Sequence, residues 1–432
     1  MNFIHASDIH LGYAQYGLEE RFRDYARAFQ SVIKYAIDHR IEFILISGDL
    51  FHKRNINAPT YLQAYKVLSE LKERSPSTQV YAIEGNHDLA FHQDGKSWLE
   101  ILNSQGLLKL IRLGEKNNRL KDFIELDKVR IFGVRYLGSN TISIIPEIAN
   151  EIKKINSERG EKYTILMMHF GMEGQTKYEA AGEIPFNSLL PLKEVVDYLA
   201  LGHYHMKYEI DGWVFNPGSI EMVSMNEYGL EKGFYHVNNK GRELISPITR
   251  PVKRIKLDIS NIQAPQELYA NVAARIEGEP SIISGRSPLV ELLLYGELNF
   301  PKSDIDISRV REMLNEHFKP LYSEVKIIKT NSQYILTEGD MRGQTREEIE
   351  LRIFSDRIKL DGRYRENLSG IVNAMVEVKK MAAAGIEESA IQKELRWCFE
   401  KIRNNRKCDD TDIKEKQQPE VKTLLSHFGE NK

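Results

Sequence analysis

The chain is 432 residues long with 41% hydrophobic residues, enough for two or three packed cores, and its 28% charged fraction nearly cancels to a formal net charge of -2. That balance leaves no global basic field, so any contact with a polyanion has to come from local clusters of lysine and arginine. The two cysteines, Cys398 and Cys408, make neither a disulfide framework nor a paired CxxC zinc motif, which predicts a reducing, cytoplasmic setting.

In chain order, the run NFIHASD from Asn2 predicts a first strand, with no room before it for the basic and apolar regions of a signal peptide. No apolar run approaches the length of about 18 residues that spans a bilayer. Between Glu19 and Arg40, the spacing of Phe22, Ala26, Phe29, Ile33 and Ile37 predicts a helix with one core-facing stripe. EFILISGD, TYLQAYKVLSELK and QVYAIEGNHD then read as strand, helix and strand, and VRIFGVRYL, YTILMMHF, VVDYLALG and WVFNPGS as further strands, giving an α/β pattern over roughly the first 240 residues. From about Pro251 to Asn331 the order is strand, helix, strand, helix, strand: VKRIKLDIS, PQELYANVAARIE, PLVELLLYGEL, DISRVREMLNEHF and EVKIIKTN. After GDMRGQ, Thr345 and Glu348 are spaced as a capping box ahead of Ile349, Ile353 and Leu360. Amphipathic stretches at Leu368 to Met381 and Ile391 to Ile402 follow, reading either as a docked terminal subdomain or as a partner-binding helical hairpin. The tail NNRKCDDTDIKEKQQPEVK is polar enough for a linker.

Five short segments share one layout, each just past an apolar strand: SDIHLG with Asp8 and His10, SGDLFH with Asp49 and His52, GNHD with Asn86, His87 and Asp88, MMHFG with His169, and LGHYH with His203 and His205. Taken singly, an Asp-x-His pair or a strand-end histidine is an ordinary polar residue. Their joint occurrence in this order is what points to a metal site. Carboxylate, imidazole and carboxamide oxygens and nitrogens suit manganese, iron or zinc, and the absence of cysteine among them argues against a structural zinc. Seven candidate ligands exceed the needs of one ion and suit two ions that clamp a phosphate for in-line displacement.

The order Asp-x-His, Gly-Asp, Gly-Asn-His-Asp, His, Gly-His-x-His resembles the calcineurin-like metallophosphoesterases over about residues 1 to 240. Within that superfamily HASDIHLGY, ILISGDLFH, YAIEGNHD, LGHYH and NPGSIE resemble the MRE-eleven/SbcD nucleases of double-strand-break repair. The resemblance implies an α/β fold with a two-sheet sandwich flanked by helices, plus a small α/β capping domain and a C-terminal helical segment. It implies two manganese ions per subunit: one held by Asp8, His10, Asp49 and His205, the other by Asp49, Asn86, His169 and His203, with Asp49 bridging. His87 then faces the phosphate to stabilise or protonate the leaving oxygen, Asp88 orients His87, and His52 lies beside the metals and supports exonuclease cleavage. Among the remaining histidines, His5, His39, His92, His236, His317 and His427 read as structural or surface residues.

The implied organisation is a nuclease domain over 1-245, a capping, DNA-binding domain over 250-335, a helical segment over 342-405 that binds a Rad-fifty/SbcC-type SMC-like coiled-coil ATPase, and a polar tail over 406-432. Lys53 and Arg54, directly after the second metal loop, are candidate DNA-phosphate contacts or plain solvated charge. A homodimer is also implied, with TYLQAYKVLSELK and SWLEILNSQ as candidate faces whose apolar residues equally suit core, as is a cytoplasmic, nucleoid-associated life in a prokaryotic or archaeal cell, with no membrane role. Two other readings compete: a phosphodiesterase or phosphatase acting on small molecules, because the metal core alone does not choose a substrate, and a non-catalytic scaffold keeping the fold for binding.

Overall fold

The computed structural model describes residues 1-91, 95-112, 122-175, 183-280, 285-328, 351, 354-355, 368-383 and 388-403. The capping box at Thr345 and Glu348, most of the segment around it, and the polar tail lie outside these. The chain divides into two compact units, residues 1-330 and 331-432.

The first unit is built on two six-stranded sheets. One contains β1 (Phe3–Ala6), β2 (Phe43–Ser47), β3 (Gln79–Ile83) and β4 (Lys109–Leu110) in parallel, extended past β1 by the antiparallel hairpin β11 (Phe234–Asn238) and β12 (Gly241–Ile245). The other runs β5 (Ile124–Glu125), β6 (Val129–Gly133), β7 (Tyr163–His169), β8 (Tyr198–Gly202), β10 (Val214–Asn216) and β9 (Tyr208–Ile210), with β6, β7, β8 and β10 parallel. A core including Phe3, Phe43, Leu45, Ile131, Ile165, Met167, Tyr198 and Phe215 joins the inner faces of the two sheets. The outer face of the first sheet is covered by helices α1 (Glu19–Asp38), α2 (Ala58–Arg74) and α3 (Trp98–Ser104), that of the second by α4 (Thr141–Arg159) and the short α5 (Leu190–Lys193). Strands buried on both faces explain the near-continuous apolar runs FILIS and YTILMM. This is the two-sheet sandwich flanked by helices that the motifs imply.

Local chemistry sets several boundaries. Asn57 caps α2 by accepting from the Thr60 amide at 3.0 Å, and Ser97 with Glu100 closes a reciprocal capping box on α3. Two features were not legible in advance. Helix α4 contains Pro146 yet continues, held by Ile144, Ile145, Ile148 and Ile152 against the second sheet, so tertiary packing overrides the local breaker. The stripe expected on α1 is displaced: Phe29 and Ile33 are buried, but Phe22, Ala26 and Ile37 are only partly covered, and the deepest positions are Tyr25, Ala28, Val32, Ala36 and the charged Arg21 and Asp24. An apolar count cannot see a core face that includes an ion pair.

A third sheet, all parallel, runs β13 (Val252–Asp258), β14 (Leu289–Tyr295) and β15 (Tyr322–Ile328), with α6 (Pro265–Glu277) and α7 (Ile307–Phe318) packed on one face. It belongs to the same compact unit as the sandwich. A small cluster of Met222, Met225 and Leu289, and Tyr16 stacked on Tyr322 at 3.7 Å, seal the contact. Beside them lies a buried charge network: Asp24 receives Arg21 at 2.8 Å, Arg250 through two donors and Arg286 at 3.4 Å, while Glu221 accepts from Arg21 and from the Arg250 amide. In the second unit, helices Leu368–Ala383 and Glu388–Arg403 pack against one another.

Asp24 is fully buried and neutralises cations that are themselves almost fully buried. Its replacement in Asp24→Ala leaves Arg21 with only Glu221 at 3.3 Å and Arg250 with only Glu20 at 3.5 Å as carboxylate partners among the described residues, and is expected to lower unfolding stability by about 3–5 kcal/mol, read as a lower midpoint in urea denaturation.

Candidate metal centre

All seven expected ligand residues arrive at one edge of the sandwich, because each follows or ends a parallel strand: Asp8 and His10 after β1, Asp49 after β2, Asn86 after β3, His169 at the end of β7, His203 and His205 after β8. The carboxyl end of a parallel sheet is where α/β folds gather a site, since loops diverge there and open a crevice. The backbone turns sharply to aim these side chains inward. Asp8, His10, Asp49 and His203 all have positive φ, at 51°, 53°, 55° and 100°. Such conformations cost non-glycine residues of order 1–3 kcal/mol each and persist only where the surroundings impose them.

The surroundings are glycines with no spare volume. A Cβ on Gly85 would stand 2.1 Å from Asp49 Oδ1, one on Gly48 would stand 2.3 Å from His169 Nδ1, and one on Gly202 would stand 2.3 Å from the Ser47 carbonyl. The loops can therefore meet only as glycine backbone.

Two groups of ligand atoms result, Asp8 with His10 and His205, and Asp8 with Asp49 and His169, the atoms of each lying within 4.8 Å of one another. His10 Nε2 and His205 Nε2 face each other at 3.0 Å, and Asn86 Oδ1 is approached by His169 Nε2 at 3.2 Å and His203 Nδ1 at 3.0 Å. His169 Nε2 lies 3.2 Å from Asp49 Oδ2. Nitrogen and oxygen lone pairs converging in a buried space, with carboxylates among them, are what a divalent cation satisfies, so the donor set fits a metal pair. Asp8 belongs to both groups; Asp49 sits between its own group and the His87 amide, from which it accepts at 2.9 Å.

Outer contacts fix the rings. His169 Nδ1 donates to the Ser47 carbonyl at 2.7 Å, and His205 Nδ1 meets Glu227 Oε1 at 2.8 Å. Glu227 lies outside every quoted motif, and nothing in the sequence marks it. Burial and the neighbouring His205 hold His10 well below the ordinary imidazole range. Burial and His169 bring His203 down to about 4. At His169 burial acts downward but the Asp49 carboxylate outweighs it, raising the ring to about 9. His10 and His203 are thus held neutral, as ligation needs, whereas His169 keeps a proton beside Asp49 that a bound cation would displace.

His87 and His52 stand together beside the ligands, rings parallel at 5.5 Å, and His10 lies 5.2–5.3 Å from each. His87 Nδ1 is bonded to the His52 carbonyl at 2.7 Å, and His52 stacks on Tyr13 at 3.9 Å. Burial, together with the charges of His87 and Lys53, takes His52 down to about 4. The orienting role expected of Asp88 toward His87 is not what the contacts show. Its carboxylate instead accepts from the Leu50, Phe51 and Gly85 amides at 3.1, 2.9 and 3.1 Å, tying the Asp49 loop to the GNHD loop; the carbonyl of His52 is what holds His87. Burial and the Asp49 charge push Asp88 up to about 7 against those amides. Lys53 and Arg54 are exposed, and Arg54 Nε donates to the Asn86 carbonyl at 2.9 Å.

The other histidines are placed as expected where they are described. His5 is buried between Tyr198 Oη and the Leu201 carbonyl, His236 bridges Tyr35 and Asn2, and His39 and His317 make carbonyl contacts. His92 and His427 lie outside the described residues.

A sandwich of two mixed sheets with a strand-end cluster of aspartates, histidines and an asparagine defines a phosphoester-hydrolysing metal fold, and residues 1–207 match the family model described as calcineurin-like phosphoesterase. Residues 1–207 are thus a calcineurin-like metallophosphoesterase domain, of a class of metal-dependent hydrolases. Within that class the chain is similar to proteins named DNA double-strand break repair protein Mre11. The Archaeoglobus fulgidus protein is 25% identical over 66% of this chain and 68% of its own length, and that of Sulfolobus acidocaldarius 25% identical over 76% and 84%. The Methanosarcina mazei protein is 29% identical, but over only 40% of its own length. Among the described residues no helix is long and apolar enough to cross a membrane.

The fit at Gly85 gives a direct check on the geometry. Gly85→Ala is expected to displace the Asp49 carboxylate and weaken divalent-metal binding by at least about tenfold while circular dichroism stays that of the folded chain, measured by calorimetric titration of metal into chelator-treated protein.

Proposed function

We propose that the chain is a manganese-dependent DNA exonuclease and endonuclease that processes double-strand-break ends by phosphodiester hydrolysis, working with a Rad-fifty/SbcC-type ATPase. The observation that carries this reading is the full donor set, Asp8, His10, Asp49, Asn86, His169, His203 and His205, gathered with His87 and His52 at its side in a chain similar to Mre11 proteins.

A bound manganese pair supplies a nucleophilic water at neutral pH and charge to offset the phosphate. The chain's own residues do the rest. Because a carbonyl only accepts, the His52 carbonyl fixes a proton on His87 Nδ1 and leaves Nε2 as the working atom. With a second proton, Nε2 donates to the phosphate or to the departing sugar oxygen; without it, Nε2 accepts. Asp88, through three backbone amides, keeps the two loops carrying Asp49 and His87 in one register. His52 packs between Tyr13 and His87, where a strand end approaching the metals would meet it. Lys53 and Arg54, exposed at the same edge, meet backbone phosphates without reading sequence.

Two surfaces support the partners of this reading. Leu62 and Tyr65 are exposed on α2, as a homodimer face requires, and Met375 and Trp397 are exposed on the helical pair that the ATPase would cover. The third sheet caps DNA over the centre, and the protein acts at the nucleoid of a prokaryotic or archaeal cell.

The test is cleavage of end-labelled duplex DNA with manganese, with magnesium and with chelator. Wild-type protein is expected to shorten the duplex only with metal, Asp49→Ala to be inactive, and His87→Ala to lose about 10²–10⁴-fold while remaining folded. Full activity in His87→Ala would remove its assigned role; rapid turnover of small phosphodiesters with none of DNA would move the substrate to the small-molecule class.

A further inference from the structure

The loop after NPGSIE carries Glu227, whose carboxylate is fully engaged although only 9% of the residue is exposed. Oε1 accepts from His205 Nδ1 at 2.8 Å, and Oε2 accepts from Lys232 Nζ at 2.6 Å and from the Val223 amide at 3.0 Å. Lys232 also donates to the His205 carbonyl at 3.0 Å and to Ser219 Oγ at 2.9 Å, so ring and backbone of His205 are held from one side. A carboxylate on Nδ1 keeps the proton there and leaves Nε2, the atom facing His10 at 3.0 Å, with its lone pair free for a cation.

The same loop is gripped from the third sheet. Arg254 of β13 donates from Nη2 to the Met225 carbonyl, and its guanidinium lies 4.9 Å from the centre of the Tyr228 ring. Met225 packs with Leu289 of β14. Met225 and Tyr228, on either side of Glu227, thus contact the module, while Met222 and Val223 at the start of the loop are bonded from the sandwich by Arg21, Tyr25 and Gln15. Arg254 is in turn locked by Glu291, a buried carboxylate that also takes Lys326 at 2.8 Å.

We propose that Glu227 is the positioning residue for His205 and that Arg254 of the third sheet holds the Glu227 loop in register, so that the seating of this module sets how firmly His205 is presented at the metal centre. The inference rests on His205 being a metal ligand. It adds a route by which a movement of the capping module alters one metal position and spares the other, since His169 is fixed by the Ser47 carbonyl inside the sandwich.

Manganese titrated calorimetrically into the metal-free full chain tests it, with wild type, Glu227→Gln, Arg254→Ala and Lys256→Ala compared. Wild type is expected to take two ions. Glu227→Gln should bind one of them as wild type does and the other about 10–100-fold more weakly. Arg254→Ala should weaken the same ion severalfold, and Lys256→Ala, at an exposed position on the same strand, should change neither. A loss confined to one ion separates positioning from general destabilisation. Should Arg254→Ala not fold, Arg254→Lys keeps a charge for Glu291, lacks the second donor for Met225, and is expected to show the same one-site weakening. Two ions bound by wild type with unchanged affinities in the Glu227 and Arg254 variants would falsify the inference. Uptake of no ion by wild type would instead overturn the metal-centre reading on which it rests.

Discussion

Two buried carboxylates, Asp8 and Asp49, contribute atoms within 4.8 Å of one another, and the architecture of the first unit is arranged around that repulsion. At an effective dielectric of about 20, two such charges oppose each other by roughly 3 kcal/mol, before the cost of removing them from water. Among the described residues no lysine or arginine pairs with either. Imidazoles and backbone amides surround them instead, and the proton that His169 holds beside Asp49 offsets one of the two charges. A divalent cation would take the place of that proton and meet both carboxylates at once. Ligand geometry, strand ends and glycine loops all serve to hold these two carboxylates among imidazoles.

A similar economy governs the union of the sandwich with the third sheet. There the charges are met within the protein: Asp24, Glu221 and the more exposed Glu20 gather Arg21, Arg250 and the partly exposed Arg286. Coulombic attraction in a poorly screened interior is strong but tolerates little misalignment, so such a network specifies one seating more than it adds net stability. Its members come from α1, the loop after β10 and the start of the third sheet, so the same loop joins the network at Glu221 and the metal centre at Glu227.

Much of the fold was legible because periodicity is a local property. FILIS, YTILMMH and LVELLLY read as buried strands, and PQELYANVAARIE as a helix, from their own composition. The displaced face of α1 was hidden because Arg21 and Asp24 are stabilised by residues about 200 and 226 positions away, which no window contains. The candidate metal centre was legible for a different reason: the residues that could hold a cation follow strands in short, chemically unusual strings such as GNHD. Glu227 had no such string, and Asp88, which has one, bonds the backbone of its neighbours where a side-chain partner was expected. Chemical type announces a site, whereas the direction in which a side chain points depends on the packing of separate loops.

The glycines at 48, 85 and 202 have a further bearing on how such a centre diversifies. Because each already touches a ligand or a neighbouring strand end at the limit of contact, the ring of donors admits no gradual retuning by substitution at these points. Room for variation is left around the rim, at Tyr13, Lys53, Arg54 and Tyr136, whose ring stacks on His203 at 5.7 Å, and in the third sheet. A lineage built on this scaffold would therefore inherit its reaction intact and acquire new substrates by changing the approach to it.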